Sequence, residues 1–95
     1  MTFTFNDFMK EQMQDPEFRA EYEALDLEKE IMQAMIEARE KNGITQQELA
    51  EKTGLAQSEI SQLESGYLDP SFATFVRLAN GMGMKLKLKV ELQPA

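Results

Sequence analysis

The sequence contains no cysteine and no histidine. Without cysteine there is no disulfide framework and no thiolate metal site, as expected of a cytoplasmic protein. Without either residue, general acid–base, nucleophilic and metal chemistry lose their commonest carriers. There is also no glycine-rich phosphate loop and no spaced carboxylate pair in a recognisable setting. The chain is therefore not expected to be an enzyme, nor to hold a metal or cofactor. No apolar run approaches the roughly 20 residues of a membrane span. The N-terminal stretch MTFTFNDFMKEQ lacks the basic start and apolar block of a signal peptide, so no anchor or leader is expected. Internal repeats and low-complexity linkers are absent as well.

What is present is one small domain's worth of chain, 95 residues, with room for an extra arm. A chain of this length buries only about 60–65% of its unfolded surface, so a partner chain would add stability. The net charge of −7 is unevenly spread. Residues 1–30 hold three bases against nine acids, a net −6, and residues 31–70 hold three against seven, a net −4. Residues 71–95 hold Arg77, Lys85, Lys87 and Lys89 against Glu91, a net +3. An acidic arm of this kind favours a basic partner and opposes phosphate at long range.

Helical patterning dominates. Phe3, Phe5, Phe8, Met9 and Met13 suggest a strand-like start followed by a helix from about Asp7. Asp15 and Pro16 then form a good helix start, with Phe18, Tyr22 and Leu25 on one stripe. From about Leu27 a second amphipathic stretch places Leu27, Ile31, Met35 and Ala38 on one face, with Gly43 ending it. Thr45 and Glu48 make a capping box for the next helix, whose Leu49 and Ala50 face inward. Gly54 interrupts the chain before AQSEISQLES. Ser71 caps a last helix in which Phe72, Phe75, Val76, Leu78 and Ala79 read as buried. MKLKLKVEL then alternates, Met84, Leu86, Leu88, Val90 and Leu92 against Lys85, Lys87, Lys89 and Glu91, the period of a half-buried strand. A lone strand is not stable in water, so it must pair with a second copy or with a partner's sheet. Its lysines also suit a charge-protected edge. The seven methionines read as initiator and core filler.

Residues 45–64 have the layout helix, short glycine-containing turn, helix, in which the second helix enters a major groove. At 100° per residue, Ile60 and Leu63 point to the core. Ser58, Ser61, Gln62 and Ser65 point outward, with Gln57 and Glu59 on the flanks. Glutamine can pair with adenine through two hydrogen bonds, serine can donate to several base edges, and glutamate can accept from the cytosine amine. Gln46 opens the preceding helix, where its side chain and amide can meet a phosphate.

Residues 29–82 resemble the XRE-type helix-turn-helix family, the phage-repressor and Cro-like fold. The residues that carry the resemblance are Arg39, Thr45 to Ala50, Gly54, Gln57 to Gly66, Pro70, Leu78 and Ala79. The resemblance implies a mainly all-α, five-helix, lambda-repressor-like domain. It further implies that Gln46 contacts phosphate, that Gln57, Ser58 and Gln62 read bases, and that Arg39 and Glu64 form a structural ion pair. Two departures stand out. Ala56 replaces the usual Ser or Thr cap, and the loop Tyr67-Leu68-Asp69-Pro70 is acidic where relatives often carry a base.

The whole layout, an acidic N-terminal arm containing DPEFRAEYEAL, this fold and a C-terminal alternating strand, also resembles HigA-type antitoxins. That likeness implies a bacterial type II antitoxin that neutralises a basic, RelE/HigB-like RNase toxin and represses its own operon. Residues 1–26 would be the toxin-binding arm, with Phe5, Phe8, Phe18, Tyr22 and Leu25 as anchors. Residues 27–83 would be the DNA-binding domain, and 84–95 a dimerisation strand. A stand-alone repressor remains the alternative. Equally, Phe18, Tyr22 and Leu25 could pack on the domain's own helices, and the acids of 21–30 could be a solvated face.

Overall fold

The structure, a computed structural model, describes residues 2–94; Met1, expected as initiator, and Ala95 lie outside the described residues. Five helices follow one another: α1 (Phe5–Gln12), α2 (Pro16–Lys41), α3 (Gln46–Thr53), α4 (Gln57–Ser65) and α5 (Phe72–Gly81).

α1 begins earlier than its apolar pattern suggests, and among the described residues no strand precedes it. Asp7 N–H donates to Thr4 Oγ1 at 3.2 Å while Thr4 N–H donates to the Asp7 carboxylate at 3.0 Å. This reciprocal box satisfies two amides at once and draws Phe5 into the helix. α2 starts as expected, with the Asp15 carboxylate accepting from Glu17 N–H at 3.0 Å and Pro16 in the first turn. The two helices expected around 16–25 and from Leu27 are then one. The stretch ALDLEKE has no glycine, proline or other breaker, so nothing ends the first before the second begins. At 1.5 Å rise, its 26 residues make a rod of about 39 Å.

The core is built by α3, α4, α5 and the C-terminal half of α2: Met32, Met35, Leu49, Ala50, Ile60, Leu63, Phe75, Leu78 and Ala79 are buried. Leu49 and Ala50 face inward as the pattern predicts. Leu27 does not; it is 61% exposed, while Met32 is buried. α2 buries residues only from Met32 onward, so its face at Leu27 stays open to solvent. Phe72 and Val76 are also solvent-facing, the former 65% exposed. α5 has the domain on one side only, and Phe75, Leu78 and Ala79 take that side. α1 contributes no buried residue. The arm it forms with the start of α2 projects from the domain. The radius of gyration is accordingly 16.6 Å, against about 12–13 Å for a compact chain of this length.

The expected β-strand over Met84–Leu92 is not seen, and no strand is present among the described residues. A strand needs a second extended edge, and every regular element here is a helix whose backbone groups bond internally. The segment is nevertheless directed. Met84 N–H donates to Ala79 O at 2.9 Å and Gly83 N–H to Asn80 O at 3.0 Å, with Gly83 at φ 73°. This left-handed helix end turns the chain back, so that Leu86 packs partly buried against the core. Met84, Leu86 and Leu88 line an apolar channel with Ile31, Met35 and Ala38 of α2. Val90 and Leu92 lie exposed beyond it.

Candidate nucleic-acid interface

α3 and α4 form the helix-turn-helix. Gly54, at φ 77°, ends α3 by donating to Ala50 O at 2.9 Å. Arg77 of α5 donates its Nε–H to Thr53 O at 2.7 Å, so the same turn is held from outside as well. That tie was not foreseen from sequence, because an arginine 24 residues away gives no local signal. Behind α4, Ile60 and Leu63 are buried, which sets its outer face.

On that face Gln57, Ser58, Ser61 and Gln62 are exposed side by side. Glu59 is half-buried on the flank. Ser65 turns its hydroxyl back to Ser61 O at 2.7 Å. The face thus presents two amides and two hydroxyls, groups that read base edges by hydrogen bonding, with no long cation among them. Ala56 gives α4 no side-chain cap, as its lack of a polar atom dictates.

α3 begins at the Thr45 cap. Glu48 N–H donates to Thr45 Oγ1 at 3.0 Å, but the Glu48 carboxylate accepts from the Thr45 hydroxyl at 3.1 Å. The expected box is therefore only half formed.

Arg39 and Glu64 join the C-terminal end of α2 to that of α4. Arg39 Nε donates to Glu64 Oε2 at 2.7 Å and Nη2 to Oε1 at 2.9 Å, a two-pronged pair. Nη1 donates to Ile44 O at 2.9 Å, which ties in the loop before α3. Both side chains are only 12% exposed. The Glu64 carboxylate raises the Arg39 guanidinium above its ordinary value, chiefly through these hydrogen bonds. Arg39 is thus committed to the interior of the network. Gln46, half-buried at the first turn of α3, donates Nε2–H to Glu64 Oε1 at 2.9 Å. This last bond was not anticipated; the two residues lie 18 apart in sequence.

The arm residues stand apart from this face. Phe5, Phe8, Tyr22 and Leu25 are exposed and Phe18 is half-buried. Phe18 and Tyr22 stack with ring centroids 6.4 Å apart and, with Phe5, Met9 and Met13, line an open groove between α1 and α2. None of the five is in the domain's core. Among the described residues no group of three acidic, His or Cys side chains is placed to hold a metal ion, and no helix is long and apolar enough to cross a membrane.

The family model described as helix-turn-helix matches residues 35–88, which span α3, α4 and α5. The chain belongs to this family, of the XRE type. It is also 36% identical over 66 residues to a Sinorhizobium fredii protein named as an uncharacterized HTH-type transcriptional regulator, y4dL. The match covers 68% of this chain and 34% of that protein, so the chain spans about a third of that relative's length. No solved structure matches the chain.

Proposed function

We propose that the protein is a transcriptional repressor that is also the antitoxin of a type II toxin–antitoxin pair. α4 reads an operator in the major groove through Gln57, Ser58, Glu59, Ser61 and Gln62, while Gln46 meets the phosphate backbone. The acidic arm, residues 1–26, binds a basic RNase toxin of the RelE/HigB-like class. Two copies join through Met84–Leu92, each supplying the strand edge the other lacks, so that two reading helices serve a two-fold operator.

The observation that carries the antitoxin half is the arm itself. It projects from the domain, holds exposed aromatic side chains beside seven acids in residues 1–26, and supplies nothing buried from α1. Aromatic anchors in a desolvated patch carry most binding energy, and surrounding charges mainly speed encounter with a partner of opposite sign. The same division answers why an acidic chain carries a base-reading face: the acid serves a basic protein, and the uncharged face serves DNA. Carboxylates of the arm would stand where the RNase otherwise holds RNA phosphates.

A second reading, a stand-alone repressor, is favoured by the relative, whose printed name is that of a transcriptional regulator and nothing more. Deleting residues 1–26 separates the two. For an antitoxin, the deletion abolishes binding to a small basic protein encoded beside it and leaves operator binding intact. Binding retained after the deletion moves the toxin site off the arm; failure of the full chain to bind such a neighbour, or the absence of one, assigns the stand-alone role. Gln57→Ala or Gln62→Ala should cost about 1–3 kcal/mol on the operator with little effect on random DNA. Equal losses on both would remove these residues as readers.

A further inference from the structure

We propose that Glu64 is a positioning residue for the DNA contact of Gln46, an inference that rests on the reading of Gln46 as a phosphate contact. Glu64 Oε1 is shared, accepting from Arg39 Nη2 and from Gln46 Nε2, each at 2.9 Å. A primary amide has two N–H donors and one carbonyl oxygen, and a carboxylate can only accept. Gln46 can therefore meet Glu64 through its nitrogen alone, and this chemistry decides which end of the amide points where. One N–H is committed to Glu64, and the other stays on the same nitrogen, available to a second acceptor such as a phosphate oxygen.

Arg39 makes the arrangement compatible with DNA. An unpaired carboxylate next to Gln46 would repel the phosphate it is meant to meet; the guanidinium, bound to both Glu64 oxygens, balances that charge. Because Arg39 is itself anchored on Ile44 O at 2.9 Å, the amide is tied through Glu64 to α2, α4 and the loop before α3. The first side chain of α3 is thereby held without spending the affinity that ordering a free glutamine on binding would cost.

The test uses the full chain with an operator duplex and a random duplex of equal length. Gln46→Ala, Glu64→Gln and the double variant are compared, folding being checked by circular dichroism. Glu64→Gln should weaken both duplexes by about three- to tenfold, the effect of one hydrogen bond, and should add nothing in the Gln46→Ala background. An equal further loss in that background overturns the positioning role, because Glu64 would then act through the fold alone. If Gln46→Ala leaves binding to both duplexes unchanged, it is the phosphate reading of Gln46 that falls, and the proposal with it. A measurement on the unaltered protein stands even if Glu64→Gln fails to fold: nitrogen relaxation of the side-chain amides. The Gln46 amide should be about as ordered as the backbone, unlike those of Gln57 and Gln62; equal mobility in all three overturns the proposal.

Discussion

At Gly81 the helices α3 and α5 cross so closely that an added methyl would stand 2.5 Å from Thr53 Cγ2 and 3.1 Å from Leu49 Cδ1. Leu49 and Thr53 are both buried, so neither can swing aside freely. Gly81→Ala would ordinarily stabilise a helix by up to about 1 kcal/mol; here overpacking should prevail and cost a net of about 1–2 kcal/mol. Urea denaturation measures it, and an unchanged or raised midpoint would show that the crossing has slack. A second residue-scale effect depends on pH. The Thr4 backbone and side-chain hydrogen bonds lower the Asp7 carboxyl below its ordinary value of 3.8. A carboxyl with a depressed folded pKa stabilises the folded form above its unfolded value and loses that contribution as pH falls through the folded one. The start of α1 should therefore be intact at neutral pH and fray on acidification below about pH 4. The Thr4 and Asp7 amide shifts, followed by NMR, report this; amides unmoved through that range would show that the box does not hold α1.

Among the elements, α4 has the weakest start. Thr4, Asp15, Thr45 and Ser71 all cap their helices through side chains, and Ala56 does not. Ala56→Ser should stabilise the domain by about 1 kcal/mol, read as a raised melting temperature with the fold unchanged; no rise would mean that the α4 amides already have a sufficient partner in water. The caps at Asp15, Thr45 and Ser71 and the glycines at 43 and 54 are legible because each depends on residues within three or four positions. The equally local Thr4–Asp7 box is masked by the strand-like spacing of Phe3 and Phe5. The α2 boundary is not legible either, since apolar spacing over 16–25 and over 27–41 gives the same helical period, and only the lack of any breaker between them makes them one rod. Burial along α2 was likewise mistaken at Leu27, because periodicity names a face without saying how far the neighbouring helices extend along it.

At the scale of the whole molecule, the arm and the tail beyond Leu86 are the described parts that stand outside the buried core. Leu88, Val90 and Leu92 are exposed on a tail whose expected strand is not formed. Apolar side chains at alternate positions with unpaired backbone suit an edge that a second copy can supply. On the proposed dimer through Met84–Leu92, the full chain should sediment as a dimer and a chain truncated after Gly83 as a monomer, with α3 and α4 still folded. A truncated chain that remains dimeric would move the interface elsewhere, and the exposed Phe72 and Val76 of α5 would be the first place to look.

The residue types and their spacing were sufficient for the helical class, the helix-turn-helix, its outward polar face and the absence of thiol or imidazole chemistry. Those features follow from local rules: caps, the 3.6-residue period, a glycine at the turn. Tertiary structure alone decided which residues meet across the chain. Arg77 reaches Thr53 O from 24 positions away, and Gln46 finds Glu64 from 18. It also decided that Leu27 and Phe72 stay in solvent and that Met32 enters the core. The strand was the clearest case of the difference. Alternation in MKLKLKVEL encodes a side-chain arrangement, but a strand is made by hydrogen bonds to a neighbouring edge, and five helices offer none.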